Sequence, residues 1–311
     1  MTARLCVVGS VNQDTFVSTP RIPAAGETIL GRDLMRCTGG KGANQAVAAQ
    51  RSGAVVHFVG AVGDDEAGRD ATKVFFEAGI DTALLHTVLT PTACAIVAVA
   101  ATGENSIIVD PGANYAVDAP IVDAARASIM EADALVLQLE IPAAALIHAA
   151  QLAREVGTPI IVNAAPVPTD LKQILTVLET CDCLIVNEVE AAAILEQIRR
   201  GLTTLGPSLV VLTRGAAGLT YWFKGKENTI PAFKLPESTP VIDTVGAGDA
   251  FVGVFAMRWA ELRIANALDE QGVRDCLYWA SAAGALACTR RGAIPAMPDR
   301  HDVVKLLQGQ V

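Results

Sequence analysis

The sequence predicts an α/β protein: a doubly wound, mostly parallel central sheet with helices on both faces, plus a small β-sheet that acts as a lid. Short runs of almost entirely apolar, often β-branched residues recur along the chain, which is typical of strands covered on both faces. These runs alternate with alanine-rich stretches of helical spacing, and such a βαβα succession implies parallel strands. Two stretches that break the alternation predict the small sheet.

The regular elements of the central sheet follow one another in a simple order. The predicted strands are residues 5–9, 55–62, 134–139, 160–163, 184–187 and 209–213, and the predicted helices lie near residues 43–52, 67–78, 143–156, 171–178 and 188–200. Right-handed crossovers between parallel strands bring their carboxyl ends to one edge of the sheet, where a ligand binds.

The two stretches that break the pattern are residues 15–38 and 92–109. The first contains Pro20, Pro23, Gly26 and Gly31 and little helical periodicity, and the second has the pattern of two strands joined by a turn at residues 102–105. Both are expected to form one small sheet, the lid, although a pair of ordinary surface loops is the alternative. The body of the protein is then formed by residues 1–14, 39–91 and 110–311.

Composition bounds the function classes. The chain has 311 residues, of which 51% are hydrophobic and 18% charged, so it can bury a large core. A net charge of −9 disfavours nucleic acid as a partner but allows a nucleotide, which needs only a few well-placed donors. Seven scattered cysteines and the lack of a long apolar segment predict a cytoplasmic protein with reduced thiols and no membrane partner.

The most informative motif is DTVGAGDAF at residues 243–251. Gly246 and Gly248 permit a tight turn, and the apolar spacing that follows is helical, so the motif begins a helix whose free N–H groups favour an anion. A helix cap would explain Asp249 alone. It would not explain two glycines and a second acid at Asp243, whereas a carboxylate beside an anion site can take a proton from an attacking hydroxyl.

Two further motifs carry polar residues next to predicted strand or helix ends. GGKGANQA at residues 39–46 lacks the spacing of a P-loop, and its Lys41 and Asn44 lie three residues apart at a helix start. GSVNQD follows the first strand, and its Asn12 and Asp14 face the same way if the segment is extended. An amide and a carboxylate suit a polyol, although a helix start and an Asx-rich turn are the simpler interpretations of each motif taken alone.

Taken together and in this order, these motifs resemble the ribokinase-like carbohydrate kinases over essentially the whole chain. The resemblance also includes QLE at residues 138–140, NEVE at 187–190, TRG at 213–215 and TRRGA at 289–293. Residues 39–46 and 243–251 are its most specific parts, and the former is most similar to family members that act on ribose. The resemblance implies an ATP-dependent kinase that phosphorylates the primary hydroxyl of D-ribose to give ribose 5-phosphate.

The resemblance also implies roles for individual residues. Asp249 corresponds to the general base, and the amides of Gly246, Ala247 and Gly248 to the anion hole. The residues that match the sugar site are Asn12, Asp14, Gly40, Lys41, Asn44 and Glu140. Asn187 and Glu190 match positions near the phosphates and Mg²⁺, and the nucleotide positions are Thr213, Gly215, Gly218, Gly248 and Ser281, where the family commonly has asparagine at the last.

A monovalent cation, K⁺, and a homodimer are further implications of the resemblance. The cation positions are Asp243 and the carbonyls of Val245, Ala287, Arg290 and Gly292, while Ala296 stands where the family often has serine. The dimer would form through the lid, whose apolar face we expect to be uncovered in one chain and to include Ile96, Val97 and Val99.

Three alternatives remain open at this point. The substrate could be deoxyribose, a ketohexose or a nucleoside. A catalytically silent sugar-binding regulator could use the same fold, although such a protein would need no base at Asp249. A dinucleotide-binding dehydrogenase is disfavoured because GSVN, not a G-x-G-x-x-G turn, follows the first strand.

Overall fold

The structure, a computed structural model, describes residues 2–102, 104–236 and 238–309. Within these ranges the strands are β1 (Arg4–Val8), β2 (Asn12–Thr19), β3 (Arg32–Gly39), β4 (Val55–Gly63), β5 (Leu85–Val88), β6 (Ala93–Ala100), β7 (Asn105–Asp110), β8 (Ala134–Gln138), β9 (Ile160–Asn163), β10 (Cys183–Asn187), β11 (Leu209–Thr213), β12 (Leu219–Phe223) and β13 (Lys226–Ile230). The α-helices there are α1 (Lys41–Arg51), α2 (Glu66–Ala78), α3 (Ala119–Ala124), α4 (Arg126–Glu131), α5 (Ala143–Val156), α6 (Leu175–Thr180), α7 (Glu188–Ile198), α8 (Ala247–Ile264), α9 (Glu270–Ala287) and α10 (Arg300–Gln308).

Nine strands form the central sheet, in the order β13-β12-β11-β10-β9-β8-β1-β4-β5. The strands from β11 to β5 are parallel, and β12 and β13 add an antiparallel edge. Successive side chains of β1 enter different cores: Leu5 and Val7 join one apolar cluster, and Cys6 and Val8 join the other. Helices therefore cover both faces of the sheet, which confirms the predicted fold class.

A second sheet of four strands, in the order β3-β2-β6-β7, forms the predicted lid. β2 pairs with β6 in parallel, so the two stretches that break the α/β alternation pair with each other rather than forming separate loops. Of the turn predicted between β6 and β7, Gly103 lies outside the described residues. β2 begins at Asn12 and β3 ends at Gly39, so the sugar motifs stand where the small sheet meets the body.

Two expectations from the sequence differ from the structure. Ile96, Val97 and Val99 do not share an uncovered face: Ile96 is 50% exposed, whereas Val97 is 4% exposed and packs with Phe16 on the opposite face, next to Val99. The strand period of two separates neighbours in this way. The helix predicted over residues 171–178 is a 3₁₀ turn followed by α6, because Ile174, with φ −119° and ψ 6°, interrupts the α-helical backbone.

Helices α1 and α8 lie against each other and hold the centre of the site. Gly253 of α8 permits this contact, because a Cβ at that position would lie 2.4 Å from the backbone oxygen of Gln45. Close approach of the two backbones brings the first turn of α1 beside the first turn of α8. No helix in the described ranges is both long and apolar enough to cross a bilayer.

Candidate active site

Helix α8 begins on a glycine turn, in which the Ala247 N–H makes a 3.3 Å hydrogen bond to the Thr244 carbonyl. Gly246 is the N-cap with φ 77°, a left-handed conformation in which a Cβ would lie 2.9 Å from the Cα of Ala293. A Cβ at Gly248 would meet no atom within 4 Å, so the space beside this residue is open. The open space beside Gly248 and the positive end of the helix dipole make this turn accessible to an anion.

Asp249 stands in this first turn and is 8% exposed. Its two carboxylate oxygens accept hydrogen bonds from two consecutive residues of α1: Asn44 Nδ2 donates to Oδ2 at 2.8 Å, and Gln45 Nε2 donates to Oδ1 at 2.9 Å. Burial raises the pKa of Asp249, while Lys41 and these two donors act to lower it. The carboxylate is thus fixed in direction and shielded from water.

Glu140 ties the start of α1 to the end of β1. Its Oε2 accepts from Ser10 Oγ at 2.5 Å and from the backbone N–H of Lys41 at 3.0 Å. Gly40, with φ 91°, allows the turn, since a Cβ there would lie 2.9 Å from the backbone nitrogen of Asn12. Four of the predicted sugar residues thus lie together: Lys41 is hydrogen-bonded to Glu140, and Gly40 lies close to Asn12.

Asn12 and Asp14 lie on the same side of β2, as predicted, and are 4% and 8% exposed. Asn114 fixes the first of them: its Nδ2 donates to Asn12 Oδ1 at 2.8 Å while its Oδ1 accepts from the Val11 N–H at 2.9 Å. Burial, then the charges of Glu140 and Asp249, raise the pKa of Asp14 to about 7. The pKa of Asp14 therefore lies well above the ordinary range of an aspartate.

The predicted nucleotide and phosphate residues follow the carboxyl ends of β10 and β11. Asn187 and Thr213 are neighbours in the sheet register. Asn187 caps α7 in a capping box with Glu190: the Glu190 N–H donates to Asn187 Oδ1 at 2.8 Å, and the Asn187 N–H donates to Glu190 Oε2 at 2.8 Å. Gly215 and Gly218, with φ 50° and 85°, bound the turn between β11 and β12.

Ser281, the remaining nucleotide candidate, lies on α9, which packs against α8. It is half-buried. The nucleotide candidates therefore lie on three parts of the fold: the end of β11 with the turn that follows it, the start of α8, and α9.

The predicted cation residues lie on two loops that Asp243 holds together. Its Oδ1 accepts from the Val245 N–H at 3.0 Å, and its Oδ2 accepts from the Gly292 N–H at 2.9 Å. The carbonyl of Ala287 accepts from the Arg290 N–H at 3.3 Å, which closes the second loop. The loop before α8 and the loop after α9 therefore meet immediately beside the glycine turn.

Sequence reasoning missed five polar residues that support this site: Ser10, Gln45, Asn114, Gln138 and Asn163. Gln45 lies inside the GGKGANQA motif, and Gln138 and Asn163 end apolar runs, so a polar residue at a strand's carboxyl end was an available signal. Asn114 lies in a 3₁₀ turn after β7, and only the folded chain brings it to Asn12.

Comparison with known proteins places the chain in a family. Residues 2–300 match the pfkB family of carbohydrate kinases, and the chain belongs to this family. The predicted class, a sugar kinase, is confirmed.

Relatives of this chain carry a more specific name. A ribokinase of Haemophilus influenzae is 33% identical, with 99% of each chain covered. Among solved structures, Giardia lamblia ribokinase superposes with a TM-score of 0.89 at 26% identity, with both chains fully covered. Arabidopsis thaliana ribokinase complexed with ribose and ATP superposes with a TM-score of 0.84 at 31% identity, with 99% of each chain covered.

Proposed function

We propose that this protein transfers the γ-phosphoryl group of ATP to the primary hydroxyl of D-ribose and releases ribose 5-phosphate and ADP. The observation that carries the proposal is Asp249, a buried carboxylate fixed by two amide donors beside the open glycine turn of α8. The relatives named ribokinase, at about one-third identity over nearly the full length, support ribose as the sugar.

In the proposed reaction Asp249 accepts the proton of the sugar hydroxyl. The hydroxyl oxygen forms a bond to the γ-phosphorus while the bond from that phosphorus to the bridging oxygen breaks, and ADP leaves with the electron pair. The amides of Gly246, Ala247 and Gly248 stabilise the charge on the phosphoryl oxygens in transit. Positioning and charge stabilisation together account for the catalysis.

The sugar is proposed to lie among Asn12, Asp14, Gly40, Lys41, Asn44 and Glu140. Asn12 and Asp14 would each bind hydroxyl groups, since an amide can donate and accept while a carboxylate accepts. The nucleotide would lie along Thr213, Gly215, Gly218 and Gly248 and reach Ser281 on α9. Asn187 and Glu190 would stand near its phosphates.

Two cations belong to the proposal. Mg²⁺ would accompany ATP and neutralise phosphate charge, and K⁺ would be held by Asp243 with the carbonyls of Val245, Ala287, Arg290 and Gly292. The proposed ligand atoms on the loops before α8 and after α9 are carboxylate and carbonyl oxygens, which suit hard cations.

Residues 15–38 and 92–109 are proposed to act as a lid on the body formed by residues 1–14, 39–91 and 110–311. Phosphoryl transfer competes with hydrolysis, so a lid that closes over the sugar would exclude water. The proposed assembly is a homodimer formed through this lid, and the cytoplasm remains the predicted location.

A panel of sugars assayed for ADP release tests the function. D-ribose is expected to give the highest kcat/KM, well above 2-deoxyribose, D-fructose and adenosine, in the presence of Mg²⁺ and K⁺. Activity should be lost on chelation of Mg²⁺ and should be higher in K⁺ than in Na⁺. A higher kcat/KM for another substrate would show that ribose is not the preferred sugar. Sugar binding without ADP release would indicate a catalytically silent regulator instead.

A further inference from the structure

Three buried carboxamides form a chain of hydrogen bonds behind Asp249. Gln45 Nε2 donates to Asp249 Oδ1 at 2.9 Å and to Asn163 Oδ1 at 3.0 Å. Gln138 Nε2 donates to Gln45 Oε1 at 2.7 Å, and Asn163 Nδ2 donates to the backbone carbonyl of Ile185 at 3.3 Å. Gln45 and Gln138 are fully buried, and Asn163 is 9% exposed.

The central sheet determines the position of these hydrogen-bonded carboxamides. Gln138 and Asn163 are register neighbours at the carboxyl ends of β8 and β9. Gly9, which follows β1, leaves room for the Gln138 side chain, because a Cβ at Gly9 would lie 2.0 Å from Gln138 Oε1. Side chains on packed strands are held more rigidly than side chains on loops, so this support is well suited to orient a neighbour.

A backbone carbonyl determines which way the three carboxamide groups are oriented. The oxygen of Ile185 can only accept, so Asn163 must turn its NH₂ group towards it and its Oδ1 towards Gln45. Gln45 then points both protons of Nε2 at acceptors, one of them on Asp249, while its oxygen accepts from Gln138. A flipped Gln45 amide would lose all three hydrogen bonds.

We propose that Gln45 is a positioning residue that keeps Asp249 ionised and aimed at the sugar, and that Gln138 and Asn163 hold Gln45 in the required orientation. The inference rests on the proposed role of Asp249 as the base. Asn44 and Gln45 meet both carboxylate oxygens with groups that donate, so they favour the charged form. Without them the buried charge would lose its solvation.

Other charged groups face Asp249 and enter its titration. Lys41 at the start of α1 favours the ionised carboxylate, whereas Glu140 after β8 disfavours it. Asp14 on β2 and Glu190 on α7 also interact with Asp249 electrostatically. None of these charges is altered when Gln45 or Gln138 is replaced by an apolar residue, so such variants isolate the contribution of the amide donor.

The first test is the pH profile of kcat/KM for the sugar in Gln45→Leu. Loss of a hydrogen bond to a charged acceptor should move the acidic limb upward by about one to two pH units. The matched control is Gln50→Leu on the same helix, where Gln50 Oε1 accepts from the Val56 N–H; its acidic limb should stay in place. An unmoved limb in a folded Gln45→Leu protein would assign Gln45 to packing alone.

Gln138→Leu provides a second variant that leaves Gln45 and Asp249 intact. It frees the oxygen of Gln45, so the limb should move in the same direction by a smaller amount, with the dissociation constant of the sugar nearly unchanged in calorimetry. This variant carries the test if Gln45→Leu does not fold. A shift equal to that of Gln50→Leu would overturn the role of Gln138.

A readout without turnover separates this inference from the proposed function. Infrared titration of the Asp249 carboxyl group, recognised by the band missing in Asp249→Asn, gives its pKa in the protein without substrates. The pKa in Gln45→Leu should exceed that of the unmodified chain. An equal pKa would overturn the positioning role even if ribose is the substrate, and a raised pKa would support it even if the sugar panel fails.

Discussion

Asp249 and Asp14 are both buried carboxyl groups, but their surroundings differ. Asp249 receives two amide hydrogen bonds, whereas Asp14 lies near two other acids, and its pKa is raised to about 7 by burial, Glu140 and Asp249. The first arrangement suits a base that must be ionised and aimed. The second suits a group whose charge changes within the working pH range.

The proposed role of Asp249 as the base predicts that a small substitution there has a large effect on kcat. Asp249→Asn keeps the shape of the side chain and removes its ability to accept a proton, so kcat should fall by about 10²- to 10⁴-fold while sugar binding is largely retained. Steady-state kinetics with calorimetry of sugar binding checks both halves. A variant that keeps more than about a tenth of the original kcat would refute the assignment.

The raised pKa of Asp14 predicts that the free energy of unfolding depends on pH. Its folded pKa of about 7 exceeds the ordinary value of 3.8, so the unfolded chain ionises first. Stability from this group is complete below about pH 4 and is lost as pH rises towards 7. Asp14→Asn should therefore gain stability relative to the original chain between pH 5 and 8, by up to a few kcal/mol.

Urea unfolding at several pH values without substrates measures this difference. Asp70→Asn serves as a control, because Asp70 is exposed on α2. A difference between Asp14→Asn and the original chain that is the same from pH 5 to 8 would contradict the elevated pKa.

At the scale of elements, α1 spans the distance between the proposed sugar residues and the segment after the proposed K⁺ carbonyls. It begins at Lys41, and at its end Arg51 Nη1 donates to the backbone carbonyls of Ile294 at 2.8 Å and Met297 at 2.9 Å. These carbonyls flank Ala296, which offers no side-chain oxygen to a cation. Arg51 therefore holds the segment that follows the proposed K⁺ carbonyls.

Replacing this arginine should weaken K⁺ activation more than sugar binding. Arg51→Met removes two charge-assisted hydrogen bonds but keeps apolar bulk, so the K⁺ concentration for half-maximal activity should rise several-fold. Arg69→Met is the control, since Arg69 is exposed and pairs only with Asp64 among the described residues. An unchanged K⁺ dependence in Arg51→Met would show that this tie does not support the cation loop.

The sequence predicts some of these elements better than others. Parallel strands such as β1 and β8 are apolar on both faces, so each is visible as a continuous run. β5 is half exposed at the sheet edge, and the β12–β13 hairpin carries polar residues such as those of Lys226–Ile230. Edge strands are specified by their pairing partner more than by their own pattern, and the edge strands β5 and β13 were not predicted. The inner strand β12, which is mostly buried, was not predicted either.

The site follows the same logic. Residues that adjoin glycine turns, such as Asp249 and Lys41, have a local signature that a single sequence displays. Asn114 and Asn163 act through partners 102 and 118 residues away in sequence. No local pattern encodes a contact of that separation, and a buried polar side chain at a strand end becomes informative only when the fold brings its partner to it.

For the molecule as a whole, the small sheet contacts the loop that is proposed to form the anion hole. Phe16, Ala95 and Val97 form the apolar cluster on the inner face of the lid, and Val245 packs against it. Val245 immediately precedes Gly246, so movement of the lid would be transmitted to the glycine turn. In the proposed mechanism this contact would connect water exclusion over the sugar with the arrangement of the amides.

The outer face of the lid carries the argument for a dimer. Ile96 and Ile108 are paired across β6 and β7 and are 50% and 68% exposed, so one chain leaves this strip of apolar surface in water. β7 is also an edge strand, with backbone groups available for pairing. A second copy that contributes the same strip would bury both, as an isologous twofold interface requires.

Sedimentation velocity at micromolar concentration tests this arrangement. The unmodified chain should sediment as a dimer, and Ile96→Lys should shift it towards monomer, because the interface would have to bury two charges. The matched control is Val156→Lys at the end of α5, where the valine is 45% exposed but distant in sequence from the lid; it should remain dimeric. If the small sheet closes over the sugar as proposed, the monomeric variant should also show a raised KM for ribose. An unmodified chain that is monomeric at this concentration, or a fully dimeric Ile96→Lys, would show that the strip does not form the subunit interface.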